Sequence, residues 1–154
     1  MDNSEKTVSE QLEEANERLN ARREEYRKLC QAQELADLKV YDPILEKENI
    51  TKFSRLILPH ITEGLPITLV IKPATPDMLR RYRTRVAKAK RNKYDQIDPA
   101  ESIAAVEELA SKCVVFPDKD VLARIFDEYP TAKADTGVLA IKLAQPNEVE
   151  EGKD

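Results

Sequence analysis

The sequence predicts an α+β fold that is mostly helical: a long N-terminal helix, then a small domain of one β-hairpin and about four helices. Three observations predict it. Residues 1–42 contain neither Pro nor Gly, a composition that leaves a helix uninterrupted. Two apolar segments flank turn chemistry at Glu63-Gly64-Leu65-Pro66, the pattern of a hairpin. Beyond position 72, helix-start signatures built from Thr or Asp, Pro and an acid recur.

In the first segment Leu12, Ala15, Leu19, Arg22, Tyr26, Leu29, Gln33 and Ala36 alternate spacings of three and four. That is a heptad seam, with Leu12, Leu19 and Tyr26 at one position and Ala15, Leu29 and Ala36 at the other, interrupted by Arg22 and Gln33. Glu14 with Arg18 and Glu24 with Lys28 stand at i, i+4 and predict supporting ion pairs. So polar a helix is marginal without a partner. Leu12, Ala15, Leu19, Tyr26, Leu29 and Ala36 are therefore the expected partner-binding residues, for another protein or a second copy of the chain.

The domain boundaries follow. Residues 1–40 are the amphipathic, coiled-coil-like arm, and residues 41–52, punctuated by Asp42-Pro43, are a linker. A docked rather than flexible linker would use Val40, Tyr41, Ile44 and Leu45. Residues 53–145 are the small domain, and residues 146–154 are an acidic tail expected to be disordered. Inside the domain, Phe53–Leu58 alternates in character and Ile67–Lys72 is rich in β-branched residues, so the two predict antiparallel strands. Such a hairpin needs helices to pack on.

Thr75-Pro76-Asp77 starts a helix that runs to about Asn92, with Met78, Leu79, Tyr82, Val86 and Ala89 on one face. Asp98-Pro99-Ala100-Glu101 starts the next, with Glu101 at the capping-box position and Ile103, Val106, Leu109, Ala110 and Cys113 as its apolar stripe. Val114-Val115-Phe116 continues that apolar run to Pro117. Asp118 or Asp120 opens a short helix that turns Val121, Leu122, Ile125, Phe126 and Tyr129 inward and stops at Pro130. A last helix, about Ala132 to Ala144, carries Val138, Leu139, Ile141 and Leu143.

Composition narrows the function classes. Of 154 residues, 35% are charged and 5% aromatic, with no Trp. No apolar run approaches the roughly 20 residues of a membrane helix, and the N-terminus shows no apolar stretch of a secretory signal. Three Gly, at 64, 137 and 152, are too far apart for a Gly-rich phosphate loop. Cys30 and Cys113 are the only thiols; they predict small buried hydrophobes in a reducing, intracellular compartment rather than a disulfide. His60 is the only imidazole. It has no nucleophile motif beside it, and Cys30, His60 and Cys113 lack the short paired spacings of a zinc site. Carboxylate pairs such as Glu107-Glu108, Asp118/Asp120 and Asp127-Glu128 fit helix caps and solvated faces. No catalytic residue, metal site or cofactor is expected.

Charge is unevenly laid out. The net −4 of the chain belongs to residues 1–38, which hold ten acids and six bases, and the remainder is neutral. Arg80, Arg81, Arg83, Arg85, Lys88, Lys90, Arg91 and Lys93 place eight cations in fourteen positions with no acid between them. Nucleic-acid binding is one reading, since clustered cations release phosphate counterions. A solvated basic helix, or one that docks an acidic partner, is the other. The acidic chain, the two interleaved aromatics (Tyr82 and Tyr94) and the spread of cations around the helix favour this second reading.

The segment Pro66–Ala144 resembles the small phage tail assembly chaperone proteins. The carrying residues are ITLVIKPATPDMLRRY and ELASKCVVFPDKDVLARIFDEYPTAKADTGVLAIKLA, about half of the chain. The punctuation that matches is Lys72-Pro73, Arg81-Tyr82, Cys113 to Asp118, Tyr129-Pro130 and Lys142 to Ala144. The arm is longer and more heptad-like than that pattern. The resemblance implies a non-enzymatic chaperone in the host-cell cytoplasm. It would keep a tape measure-type protein soluble while the tail tube polymerises, and would be absent from the finished virion. A structural tail or head completion protein is the competing expectation, and a small nucleic-acid-binding protein acting through residues 80–93 is the third.

Overall fold

The computed structural model describes residues 5–59 and 64–146. His60 and the tail residues 147–154 lie outside the described residues. The architecture is α+β: helix α1 (Val8–Lys47), strands β1 (Ser54–Leu58) and β2 (Ile67–Ile71), helices α2 (Pro76–Ala87) and α3 (Pro99–Ala110), strand β3 (Val114–Phe116), and helices α4 (Lys119–Glu128) and α5 (Pro130–Ala144).

β1 and β2 form the expected antiparallel hairpin, in register from Ser54 opposite Ile71 to Leu58 opposite Ile67. A third strand was not expected. Val114-Val115-Phe116, read as the end of a helical run, pairs antiparallel with β2 across a bulge at Val70/Ile71 and completes the sheet order β1-β2-β3. Three apolar residues carry no period of their own, so the partner strand decides their conformation. The Phe116–Pro117 peptide bond is cis.

The central strand explains the layering. Successive side chains of a strand point to opposite faces, and Leu69, Val70 and Ile71 are all fully buried. Leu69 and Ile71 join Leu58, Ala74, Cys113, Leu122, Ile125, Ala132 and Ala140 in the main core. Val70 joins Tyr41 and Leu45 of α1 on the other face, with Ile50, Val115 and Phe116 packed around them. The sheet is therefore covered on both sides along Leu69–Ile71, which is why these three consecutive residues of β2 are all apolar.

This second layer replaces the linker with its docked alternative: Tyr41 and Leu45 are buried and Ile44 half-buried, while Val40 is exposed. Residues 41–47 are the last turns of α1, and the helix runs through Pro43. Pro inside a helix costs about 3 kcal/mol through a lost hydrogen bond and a ring clash. Burial of Tyr41 and Leu45 on either side of it, with the Tyr41 ring 5.8 Å from that of Phe116, offsets that cost. The helix stops instead at Asn49, which adopts φ 54°. There the Ile50 amide donates to the Leu45 carbonyl (2.9 Å) and the Asn49 amide to the Glu46 carbonyl (3.1 Å). This is a Schellman motif with its Ile50–Leu45 apolar contact.

The other caps follow local chemistry. Thr75, Asp98 and Asp118 each accept a backbone N–H of the first turn. Asp118, not Asp120, is the cap of α4. Glu101 does not complete a capping box; its carboxylate accepts the Lys90 amide at 2.8 Å instead. α2 ends at Ala87 rather than near Asn92. The Asn92 side chain accepts the Tyr94 and Gln96 amides, and Asp95 turns at φ 59°, so an Asx turn competes with the helix.

α3 and α5 pack most closely of the helices. The fully buried residues of α5 are Ala132, Thr136, Gly137 and Ala140; of the apolar residues expected on it, Leu139 and Leu143 pack half-buried against the main core, Ile141 is half-buried and Val138 is exposed. Gly137 touches the Val106 backbone so tightly that a Cβ would stand 2.2 Å from the Val106 carbonyl oxygen. Small residues let the helices approach, and Ile103 and Val138 are left exposed at the rim.

Candidate functional site

The arm is built from one helix doing two jobs. At 3.6 residues per turn, Cys30, Gln33, Asp37, Tyr41 and Ile44 continue the three-and-four spacing of Leu12, Ala15, Leu19 and Tyr26. Cys30, Gln33, Asp37 and Ile44 are half-buried and Tyr41 is buried, so this stripe lies on the sheet. It is tied there by Arg55 of β1, whose guanidinium donates to Glu34 at 3.0 Å. That contact, with Tyr41 next in effect, holds the Arg55 pKa above its ordinary value. The Gln33 amide donates to Asp37 at 2.8 Å.

The same stripe emerges unpartnered in the other half. From Val8 to Leu29 only Ala15 is even half-buried among the described residues. Leu12 is 59% exposed, Leu19 46%, Tyr26 47% and Leu29 56%. This free half extends roughly 33 Å at 1.5 Å per residue. Of the expected partner-binding residues, Leu12, Ala15, Leu19, Tyr26 and Leu29 thus share the free half. Ala36 does not: it falls in the docked half, exposed beside Asp37 rather than beneath the helix. A heptad drifts about 20° per repeat on a straight helix, so its last members rotate off the face.

The charged flanks differ from the expected pairing. Lys6 pairs with Glu14, and Arg27 grips Glu24 with two hydrogen bonds, at 3.0 and 2.5 Å. The Arg27 guanidinium holds the Glu24 carboxyl below its ordinary pKa. The expected i, i+4 pairs of Glu14 with Arg18 and Glu24 with Lys28 are replaced by these.

The basic segment divides as well. Arg80, Arg81, Arg83 and Arg85 lie on α2, Lys88 caps it, and Arg91 sits in the following turn. All are exposed. Arg80 pairs with Asp77, Arg85 with Glu108 of α3 at 2.6 Å, and Arg91 with Asp95 at 3.8 Å. Half of the six expected basic-surface residues therefore face an acid, which lowers what they offer a phosphate backbone.

The domain adds a feature that sequence reasoning missed. An open groove of about 770 Å³ runs between Lys72, Lys112, Lys119 and Lys133, over a floor that includes Leu122 and Phe126 and beside Asp127. Its lysines come from four places in the chain, so no local spacing announces them. Next to it Cys113 is fully buried, and that burial pushes its thiol pKa up. Both cysteines are free thiols. Among the described residues, no group of His, Cys, Asp and Glu is placed to hold a metal, and no helix is long and apolar enough to cross a membrane. No family model, curated protein or solved structure matches the chain.

Proposed function

We propose that the chain is a non-enzymatic assembly chaperone of the phage tail kind, holding a helical tape measure-type partner on the free half of α1 in the host cytoplasm. The observation that carries this reading is the exposed stripe of Leu12, Leu19, Tyr26 and Leu29 on a preformed helix. Clustered apolar side chains on a soluble surface mark a place where another chain is covered. A helical partner would lay its own apolar stripe along this one, by the packing that joins two helices at heptad spacing. The resemblance of Pro66–Ala144 supplies the class of partner; the arm supplies the surface.

The test is co-expression with a tape measure-type protein. With the full chain, the partner is expected to stay soluble and to co-purify; with Leu12→Asp/Leu19→Asp it is expected to precipitate. Equal solubility with and without the chain would overturn the reading. Mass spectrometry of purified particles is expected to find the chain missing, and its stoichiometric presence would make it a structural tail or head completion protein instead.

A further inference from the structure

The free half of α1 is polarised. Residues 5–17 hold five glutamates against Lys6. Residues 18–28 hold Arg18, Arg22, Arg23, Arg27 and Lys28 against Glu24 and Glu25. An acidic tip thus precedes a basic base along one exposed apolar stripe. Two such arms laid parallel set like charge beside like charge. Laid antiparallel, each acidic tip meets a basic base, and both apolar stripes are covered.

We propose that the arm, when it holds no client, is covered by the same arm of a second copy running antiparallel. This rests on α1 being the association surface, as argued above, and gives that surface a resting occupant that a client must displace. One register satisfies both charge and shape. Leu12 lies opposite the partner's Leu29, Ala15 opposite the partner's Tyr26, and Leu19 opposite the partner's Arg22. Small meets large in the second layer, and the aliphatic stem of Arg22 covers Leu19 while its guanidinium reaches water. At the flanks Arg18 meets the partner's Glu25, twice by symmetry. Sliding one heptad toward the tips sets Leu12 opposite the partner's Arg22 and loses the Arg18–Glu25 pairs. Sliding the other way draws Gln33 and Ala36 into the seam, in the half of α1 that lies on the sheet. Arg22, an interruption of the heptad when the helix is read singly, becomes the polar layer that fixes register beside the two-fold axis.

The experiment uses the full chain. Light scattering is expected to give about twice 17.6 kDa. Glu10→Lys/Glu13→Lys/Glu14→Lys/Glu17→Lys makes the whole arm basic and is expected to weaken self-association by about tenfold or more. Mixing it with Arg18→Glu/Arg23→Glu/Arg27→Glu/Lys28→Glu is expected to restore a dimer, which a merely unfolded arm would not do. Orientation is read in a Cys30→Ser background by mild oxidation. Leu12→Cys/Leu29→Cys is expected to cross-link into a dimer, and neither single substitution is. A monomeric mass at high protein concentration, or cross-linking by Leu12→Cys on its own, overturns the proposal. A chain that is monomeric yet keeps the tape measure-type protein soluble removes this inference and leaves the chaperone reading standing. A dimer that does nothing for that protein removes the chaperone reading and leaves the pairing.

Discussion

Replacing Gly137 with Ala tests the packing of the domain against the intrinsic preference of its helices. Gly137 lies within α5, where Ala is favoured over Gly by about 1 kcal/mol. Propensity on its own therefore predicts a more stable protein. The geometry predicts the opposite. The new methyl group would meet the Val106 carbonyl oxygen at 2.2 Å, its Cγ1 at 2.6 Å and its carbonyl carbon at 2.9 Å. Carbon–oxygen contacts settle near about 3.3–3.6 Å, so α3 and α5 must part by about 1 Å. A gap of that size forfeits roughly a quarter to a half of each dispersion contact across it. The buried residues of the two helices are Ala105, Val106, Leu109 and Ala110 of α3 and Ala132, Thr136 and Ala140 of α5. Overpacking of this kind costs about 1–3 kcal/mol, and a backbone atom as the obstacle places it at the upper end. After the helix gain, a net loss of about 2 kcal/mol is expected. For a domain of this size that lowers Tm by about 8–16 °C. Thermal and urea unfolding followed by circular dichroism at one protein concentration measure it. Adding Val106→Ala is expected to bring no rescue, because the carbonyl oxygen remains. A Gly137→Ala chain as stable as the parent, or more stable, would refute the close-contact argument.

Three further outcomes follow from contacts described above. Thr136 Oγ1 is buried and has no hydrogen-bond partner among the described residues, so Thr136→Val, of equal shape, is expected to stabilise by about 1 kcal/mol in urea unfolding. Tyr41→Ala empties the contact with Phe116 beneath α1 and is expected to cost about 3–5 kcal/mol; a loss under 1 kcal/mol would show that α1 is not anchored there. The Arg85 guanidinium holds the Glu108 carboxyl below its ordinary pKa. A lowered native pKa stabilises above the carboxyl's unfolded value, and that contribution fades as pH falls through the native one. Arg85→Ala is expected to flatten the acid side of the stability–pH curve, without changing stability below both pKa values by that route; an unchanged slope would contradict the pair.

What was legible in the sequence was what neighbours in the chain decide together. The caps at Thr75, Asp98 and Asp118 are local, because a side-chain oxygen reaches an amide two or three residues on. The hairpin was legible because β1 and β2 flank their own turn. The exposed stripe from Leu12 to Leu29 was legible because a helical period needs no partner to be seen. What was hidden depended on distant contacts. Val114–Phe116 becomes a strand only because β2 offers it an edge. Pro43 is tolerated only because Tyr41 and Leu45 have a sheet to rest on. The deepest face of α5 was hidden because close approach to α3 selects small residues there, Gly137 and Ala140, while the larger Leu139 and Leu143 stand half-buried beside them. The lysine groove assembles from residues of β2's end, the α3–β3 turn, α4 and α5, and no window of sequence contains it.

The passage of α1 through Pro43 without a break bears on how the arm is kept ready. Starting a helix is the costly step, while extending one adds a bond for each residue fixed. The docked turns around Tyr41 and Leu45 act as a standing nucleus, so the polar free half needs only propagation to exist. A partner then meets a rod already formed and does not have to supply the roughly 1–2 kcal/mol of backbone ordering per residue that a coil would demand. The rod is also clamped at one end like a beam. Whatever seats on Leu12 and Leu19 fixes the direction in which the sheet and its helices point, roughly 33–50 Å away. On the proposed reading, such an arm would align its domain as well as hold its partner.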